Sequence, residues 1–208
     1  TEDRNSVLIY NGEIYNHMEL RSLYLKDINF TSSSDTETLL YGLVKYGKSF
    51  INHLNGIFAF AFYNLSTHNF MLVRDQFGIK PFYYSLNNDS ISFSSELKAI
   101  IPLIEEITID NNTIKNHINF LWSPGESTMI KEAKKLLPGH FIEGNLKLNN
   151  KIKIEQYFQI KFNTNQIKYK SENYYLEKLE FYLTMAIKRQ MLADVEIGFF
   201  LSGGLDSS

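Results

Sequence analysis

Ile57-Phe58-Ala59-Phe60-Ala61-Phe62-Tyr63 alternates large and small residues, yet neither set is polar. A strand with two apolar faces needs cover on both sides, so this run predicts a sheet sandwiched between layers. Upstream, Ser6 to Tyr10 reads as a strand, and Asn11-Gly12, a strong turn dipeptide, predicts a tight turn before the short apolar run Ile14-Tyr15. Downstream, Phe70 to Val73, Phe82 to Ser85 and Ile91 to Ser94 read as further strands. Turn-forming stretches at Ser66 to Asn69 and Asn87 to Ser90 separate them, as in an antiparallel meander.

Helices follow from capping and spacing. Asn16 with Glu19 starts one that carries Leu20, Leu23 and Tyr24 on a stripe; Ser34 with Glu37 starts a second through Leu39, Leu40, Leu43 and Val44, stopped by Gly47. Ser95 to Ile101 reads as a short helix. From Leu137-Pro138-Gly139 to about Tyr169 the pattern weakens to hairpins and a connector. A helix then runs from Ser171 to about Leu192, and Val195 to Leu201 is expected as a buried strand ending in Ser202-Gly203-Gly204.

At 208 residues the chain can bury a sizeable core. Its 21 basic and 23 acidic residues are interspersed, which argues against nucleic acid or an anionic membrane and for small neutral or zwitterionic partners. Cysteine is absent, which excludes disulfides, thiolate metal sites and thiol nucleophiles within these residues. No stretch reads as a signal peptide or membrane span, so the default location is cytoplasmic. The five histidines, His53, His117 and His140 among them, lack metal-ligand spacing.

The most specific chemical signal is Ser202-Gly203-Gly204-Leu205-Asp206-Ser207-Ser208 after the expected strand. Glycines there let backbone N–H groups turn toward an anion, while hydroxyls and a following helix start add donors. No Gly-Lys-Ser/Thr follows, so the cradle is not of the Walker type.

This string resembles the pyrophosphate loop of the ATP-pyrophosphatase superfamily. NGEIYN (Asn11 to Asn16), SDTE (Ser34 to Glu37), LNGIFAFA (Leu54 to Ala61), RDQFGIKPFYY (Arg74 to Tyr84) and SSELKAI (Ser94 to Ile100) resemble B-type, glutamine-hydrolysing asparagine synthetases in the same order. The resemblance implies an α+β fold, an N-terminal-nucleophile αββα sandwich followed by the beginning of an α/β parallel-sheet synthetase domain. The expected divisions are a class II glutamine amidotransferase domain over 1–150, a connector over 151–170 and the start of the synthetase domain over 171–208.

Carried over residue by residue, the resemblance makes Asn11 and Gly12 the oxyanion site, each donor worth roughly 3 kcal/mol in the transition state. Asn11, Gly12, Glu13 and Asp35 would bind glutamine, with Asp35 and Glu13 on the α-ammonium. Phe200, Ser202, Gly203, Gly204, Asp206 and Ser207 would bind ATP, and Mg2+ is implied with its ligands outside these residues. Arg74, Asp75, Gly78 and Lys80 form a charged turn that the resemblance places near the passage between the two sites; as plain sequence they read as a solvated loop with an ion pair. Ser95 and Glu96 read as a helix cap. Glutamine, aspartate and ATP are the implied partners, and a homodimer is compatible with the resemblance.

The family's nucleophile is an N-terminal cysteine, which this sequence lacks. Thr1 stands too close to Asn11-Gly12 to replace it, so both ends read as cut and the chain alone is expected to catalyse neither half-reaction. The rival readings are a transfer enzyme amidating a sugar or secondary-metabolite carboxylate, and a cysteine-free scaffold. Retained Asn11, Gly12, Glu13 and Asp35 argue against the scaffold.

Overall fold

The computed structural model describes residues 5–87, 90–147, 152–162, 170–192 and 196–205. The strands are β1 (Ser6–Ile14), β2 (Gly56–Asn64), β3 (Asn69–Arg74), β4 (Tyr83–Leu86), β5 (Ile91–Ser94), β6 (Ala133–Lys135), β7 (His140–Asn145) and β8 (Lys153–Gln156). The α-helices are α1 (His17–Tyr24), α2 (Asp35–Tyr46), α3 (Leu97–Ile100), α4 (Asn111–Phe120) and α5 (Glu172–Gln190). One antiparallel sheet has the order β1-β2-β3-β7-β8, and a smaller one has the order β5-β4-β6.

The two faces of β2 meet two cores. Phe58 and Phe60 are buried with Leu20 of α1, Leu39 and Leu43 of α2, and Phe50 and Ile51 of the 3-10 turn that follows, and Phe62 packs at the margin of the same cluster. Each buried Phe contributes about 1.5–3 kcal/mol. Ala59 and Ala61 face the second sheet, against Phe82, Tyr84 and Leu136. Small residues on that face fit the close approach of a neighbouring sheet, and bulky ones fill the gap under the helices. The short α3 packs on β4 and β5.

Asn11-Gly12 is not a turn. β1 pairs with β2 without interruption from Ser6 opposite Asn64 to Ile14 opposite Gly56, which places Gly12 opposite Phe58. Long pairing outweighs the local turn preference, and glycine serves close approach instead: a Cβ on Gly12 would lie 2.2 Å from the Ile57 carbonyl oxygen and 2.7 Å from Phe58 Cα.

Three further elements bear on the expectation. α4 was not anticipated; Asp110 caps it by accepting from the N–H groups of Asn112 and Thr113. β8 falls within the residues set apart as connector, and with β7 it forms an antiparallel hairpin of the kind expected between Leu137 and Tyr169. Residues 196–201 form no strand, because among the described residues nothing pairs with them and an extended segment without a ladder leaves its backbone to solvent. Val195 lies outside the described residues.

The chain divides into two compact units, Thr1–Ile160 and Lys161–Ser208. In the second, α5 starts at Ser171, whose hydroxyl accepts from the Tyr174 N–H at 3.3 Å. No helix among the described residues is long and apolar enough to cross a membrane.

Gly42 in α2 stands against the fully buried Phe50 ring, where a Cβ would meet ring carbons from 2.0 Å. Helix propensity favours Ala over Gly by about 1 kcal/mol, but overpacking costs about 1–3 kcal/mol. Gly42→Ala is therefore expected to destabilise. In urea unfolding, adding Phe50→Leu to Gly42→Ala should cost less than Phe50→Leu does alone, and additive losses would show that the two positions do not compete for space.

Candidate active site at the edge of β1

Among the described residues β1 is an edge strand, with β2 on one side and no strand on the other. The Ile14 N–H points away from β2 and donates to Asp35 Oδ2 at 2.8 Å. Strand alternation turns the Gly12 N–H to the same edge. The Tyr10 hydroxyl donates to Asp35 Oδ2 at 2.6 Å. Asp35 therefore sits beside the edge that carries Gly12, two residues along.

Alternation also separates the side chains. Tyr10 and Ile14 belong to the helix-side core, whereas Asn11, opposite Ala59, faces the second sheet, and Glu13 shares its parity. Asn11 Nδ2 donates to Ser95 Oγ at 3.3 Å, so Ser95 orients this amide. Burial raises the Tyr15 hydroxyl pKa, and the charges of Glu13 and Asp75 raise it further. Tyr10 is pushed far above the ordinary phenol range by burial first, then by its bond to Asp35 and the charges of Asp35 and Glu13. It stays protonated, as a donor.

Asp35 is the first residue of α2, where a carboxylate also meets the positive end of the helix. Ser34 caps the helix by accepting from the Thr36 N–H at 3.2 Å. Glu37 does not complete a capping box with Ser34. Its carboxylate takes four donors from the preceding loop: Thr31 N at 2.9 Å and Oγ1 at 3.0 Å, Ser32 N at 2.8 Å and Oγ at 2.7 Å. From α1, Arg21 ties the same loop by donating to the Ser32 and Ser34 carbonyls and to Thr38 Oγ1, its guanidinium 3.8 Å over Phe30. Burial alone would raise the Glu37 pKa, but the four bonds outweigh it and bring it down to about 2.

The Arg74–Asp75 turn is neither solvated nor an ion pair. Asp75 is 1% exposed and accepts from the N–H groups of Phe58, Phe77, Ile79 and Lys80. Arg74 donates to the carbonyls of Gly78, Lys80 and Leu136, each at 2.7 Å. Gly78 takes φ 66° where a Cβ would meet Pro138 Cγ at 2.7 Å and the Arg74 guanidinium at 3.1 Å. These groups are architecture: Lys80 enters through its backbone N–H.

In the second unit, Ser202 to Leu205 bend through Gly203 at φ 68°, a conformation that glycine adopts without strain, and Phe200 is fully exposed. Asp206 and Ser207, like Thr1, lie outside the described residues. No group of three His, Asp or Glu among the described residues could hold a metal ion. A cavity of about 560 Å³ lined in part by Phe62, Phe70 and Met71 includes none of the candidate glutamine- or ATP-binding residues.

Residues 1–158, which hold both sheets and the Asp35 carboxylate at the edge of β1, match the glutamine amidotransferase domain family. The chain belongs to it. Residues 178–208 match the asparagine synthase family. Asparagine synthetase [glutamine-hydrolyzing] 1 of Bacillus subtilis is 35% identical over the whole chain, and asparagine synthetase [glutamine-hydrolyzing] 3 of the same organism is 32% identical over 97% of it. The chain spans 32% of each of those relatives, about a third of their length. Among solved structures, glutamine phosphoribosylpyrophosphate amidotransferase from B. subtilis superposes with a TM-score of 0.52 at 19% identity, over 74% of this chain and 30% of that one. The fold is thus the N-terminal-nucleophile amidotransferase fold.

Tyr10, Ser95 and Arg21 bond to Asp35, to Asn11 and to the loop before α2, and sequence reasoning assigned none of them to the candidate site. Ser95 was legible only as a cap, and nothing local marks Tyr10 or Arg21, since their partners lie 25 and 17 residues away.

Because Glu37 titrates near 2 in the folded chain and near 4.5 unfolded, its bonds stabilise the fold above about pH 5, and that contribution fades as pH falls toward 2. Glu37→Gln should cost about 1–3 kcal/mol at pH 7. In denaturant titrations the gap from the parent protein should close by about pH 2, and a gap constant from pH 7 to 2 would sink the account.

Proposed function

We propose that the full-length protein is a glutamine-dependent asparagine synthetase, in which residues 1–158 recognise and hydrolyse glutamine and residues 178–208 open the ATP-using domain. The observation that carries this reading is the Asp35 carboxylate, fixed through one oxygen to the Tyr10 hydroxyl and to the Ile14 N–H, on the strand edge that carries Gly12 two residues along. The B. subtilis relatives, named as glutamine-hydrolysing asparagine synthetases, support it.

In this reading the α-ammonium of glutamine binds Asp35, with Glu13 adding negative potential. As the side-chain carbonyl is attacked, charge develops on its oxygen, and Asn11 Nδ2 and the Gly12 N–H receive it; each is worth roughly 3 kcal/mol. Ser95 holds the Asn11 amide on the second-sheet side. The attacking group is not a cysteine of this sequence, which has none, so the reaction belongs to the full-length protein. Ammonia released there would displace AMP from an aspartyl adenylate. ATP supplies that activation, and Ser202, Gly203 and Gly204 would offer hydroxyl and N–H donors to its pyrophosphate, with Phe200, Asp206 and Ser207 the other candidates for ATP binding in the same stretch of sequence. Mg2+ would be held elsewhere in the protein.

The two sites can be separated by nitrogen source. Asp35→Ala in the full-length protein should reduce glutamine-dependent asparagine formation by at least a hundredfold and leave synthesis from ammonium within about twofold, since free ammonia bypasses glutamine recognition. Ser202→Ala should reduce both alike. Equal loss of both activities in a folded Asp35→Ala protein means that Asp35 does not recognise glutamine.

A further inference from the structure

We propose that Tyr10 is a positioning residue that sets the rotation of the Asp35 carboxylate and thereby the affinity for the α-ammonium of glutamine. The inference rests on the assignment of Asp35 to that ammonium. A carboxylate has about four lone-pair sites, two on each oxygen. Both observed close donors, the Tyr10 hydroxyl at 2.6 Å and the Ile14 N–H at 2.8 Å, fall on Oδ2. Oδ1 has a contact of 3.5 Å from the Thr36 hydroxyl, at the limit of a hydrogen bond. Two donors on one oxygen and a weak one on the other leave Oδ1 as the oxygen that a cation meets.

The two close donors are not equivalent. The Ile14 N–H is part of β1 and acts along the sheet edge, so by itself it leaves the carboxylate free to swing about the Cβ–Cγ bond. Tyr10 reaches the same oxygen from the helix-side core, where its ring packs against the buried cluster. Donors from two directions remove that freedom before substrate arrives. Burial and the Asp35 charge keep the phenol protonated, so this bond persists through the pH range in which an enzyme works.

Tyr10→Phe removes one oxygen and keeps the ring in place. In the full-length protein, glutaminase kinetics would be measured with L-glutamine and with 4-carbamoylbutanoate, which is glutamine without its α-amino group. The expected result is a rise in KM for glutamine of roughly tenfold or more, kcat within about twofold, and no change in KM for 4-carbamoylbutanoate. Unchanged KM for glutamine overturns the proposal, as does an equal rise for both substrates, which would indicate a structural role. Asp35→Asn tests the underlying assignment separately: if it leaves the glutamine KM unchanged, the assignment of Asp35 falls and this proposal with it. If Asp35→Asn raises KM and Tyr10→Phe does not, only the role of Tyr10 is wrong.

Discussion

A carboxylate taken out of water loses several kcal/mol of solvation unless donors replace it, and Asp75, at 1% exposure, has four backbone N–H groups in that role. One belongs to Phe58 of β2, and the others to the turn that leaves β3. Its own backbone N–H donates to the Phe58 carbonyl at 2.8 Å, and its carbonyl accepts from Gly139 at 2.8 Å, ahead of β7. Arg74 reaches Leu136, just beyond β6 of the other sheet, and Tyr157 donates to the Arg74 carbonyl. The turn therefore fixes β2 at Phe58 and holds both sheets to one point. Removing the acceptor strands four N–H groups at once, which is why a charged pair that reads as surface cannot be surface.

The site inherits its geometry from that point. Phe58 is the residue opposite Gly12, so the turn that fixes β2 also fixes where the Gly12 N–H emerges at the edge of β1. From the other side, Glu37 and Arg21 hold the loop before α2 and so deliver Asp35 to the same edge. Both clusters use charged side chains against backbone groups with few alternatives, a rigid way to bring residues distant in sequence together.

What the sequence revealed follows the range of the interactions. The apolar run of β2 was legible because both of its faces report burial directly, and α2 was legible because Ser34 and Gly47 act within a turn of the helix. Asn11-Gly12 was misread because its local preference is for a turn, while its state is decided by pairing with Phe58 and Ala59, more than forty residues on. Glu37 was misread for the same reason: a capping box and a loop clamp need the same residue, and only the positions of Thr31 and Ser32 decide between them. α4 was overlooked although its signals are local: the Asp110 cap precedes Ile114 and Ile118 at helical spacing. Val195 to Leu201 has the apolar content of a strand, but a strand is a property of its partners, and the described part of this unit offers it none.

The division of labour at the edge then has a simple origin. In a strand, successive side chains point to opposite faces, so Tyr10 and Asn11, adjacent in sequence, necessarily serve different layers. Tyr10 reaches the helix side and Asp35; Asn11 reaches the second sheet and Ser95. The N–H of Gly12 lies between them in the plane of the sheet. A one-residue slip of β1 against β2 would exchange the two faces and send the Tyr10 hydroxyl toward the second sheet and the Asn11 amide into the helix-side core, so recognition of an ammonium and stabilisation of an oxyanion are both conditional on a single register. That register is defended where errors are costliest: a Cβ at Gly12 would lie 2.2 Å from the Ile57 carbonyl oxygen and one at Gly56 2.1 Å from the Glu13 carbonyl oxygen, so neither place has room for a side chain.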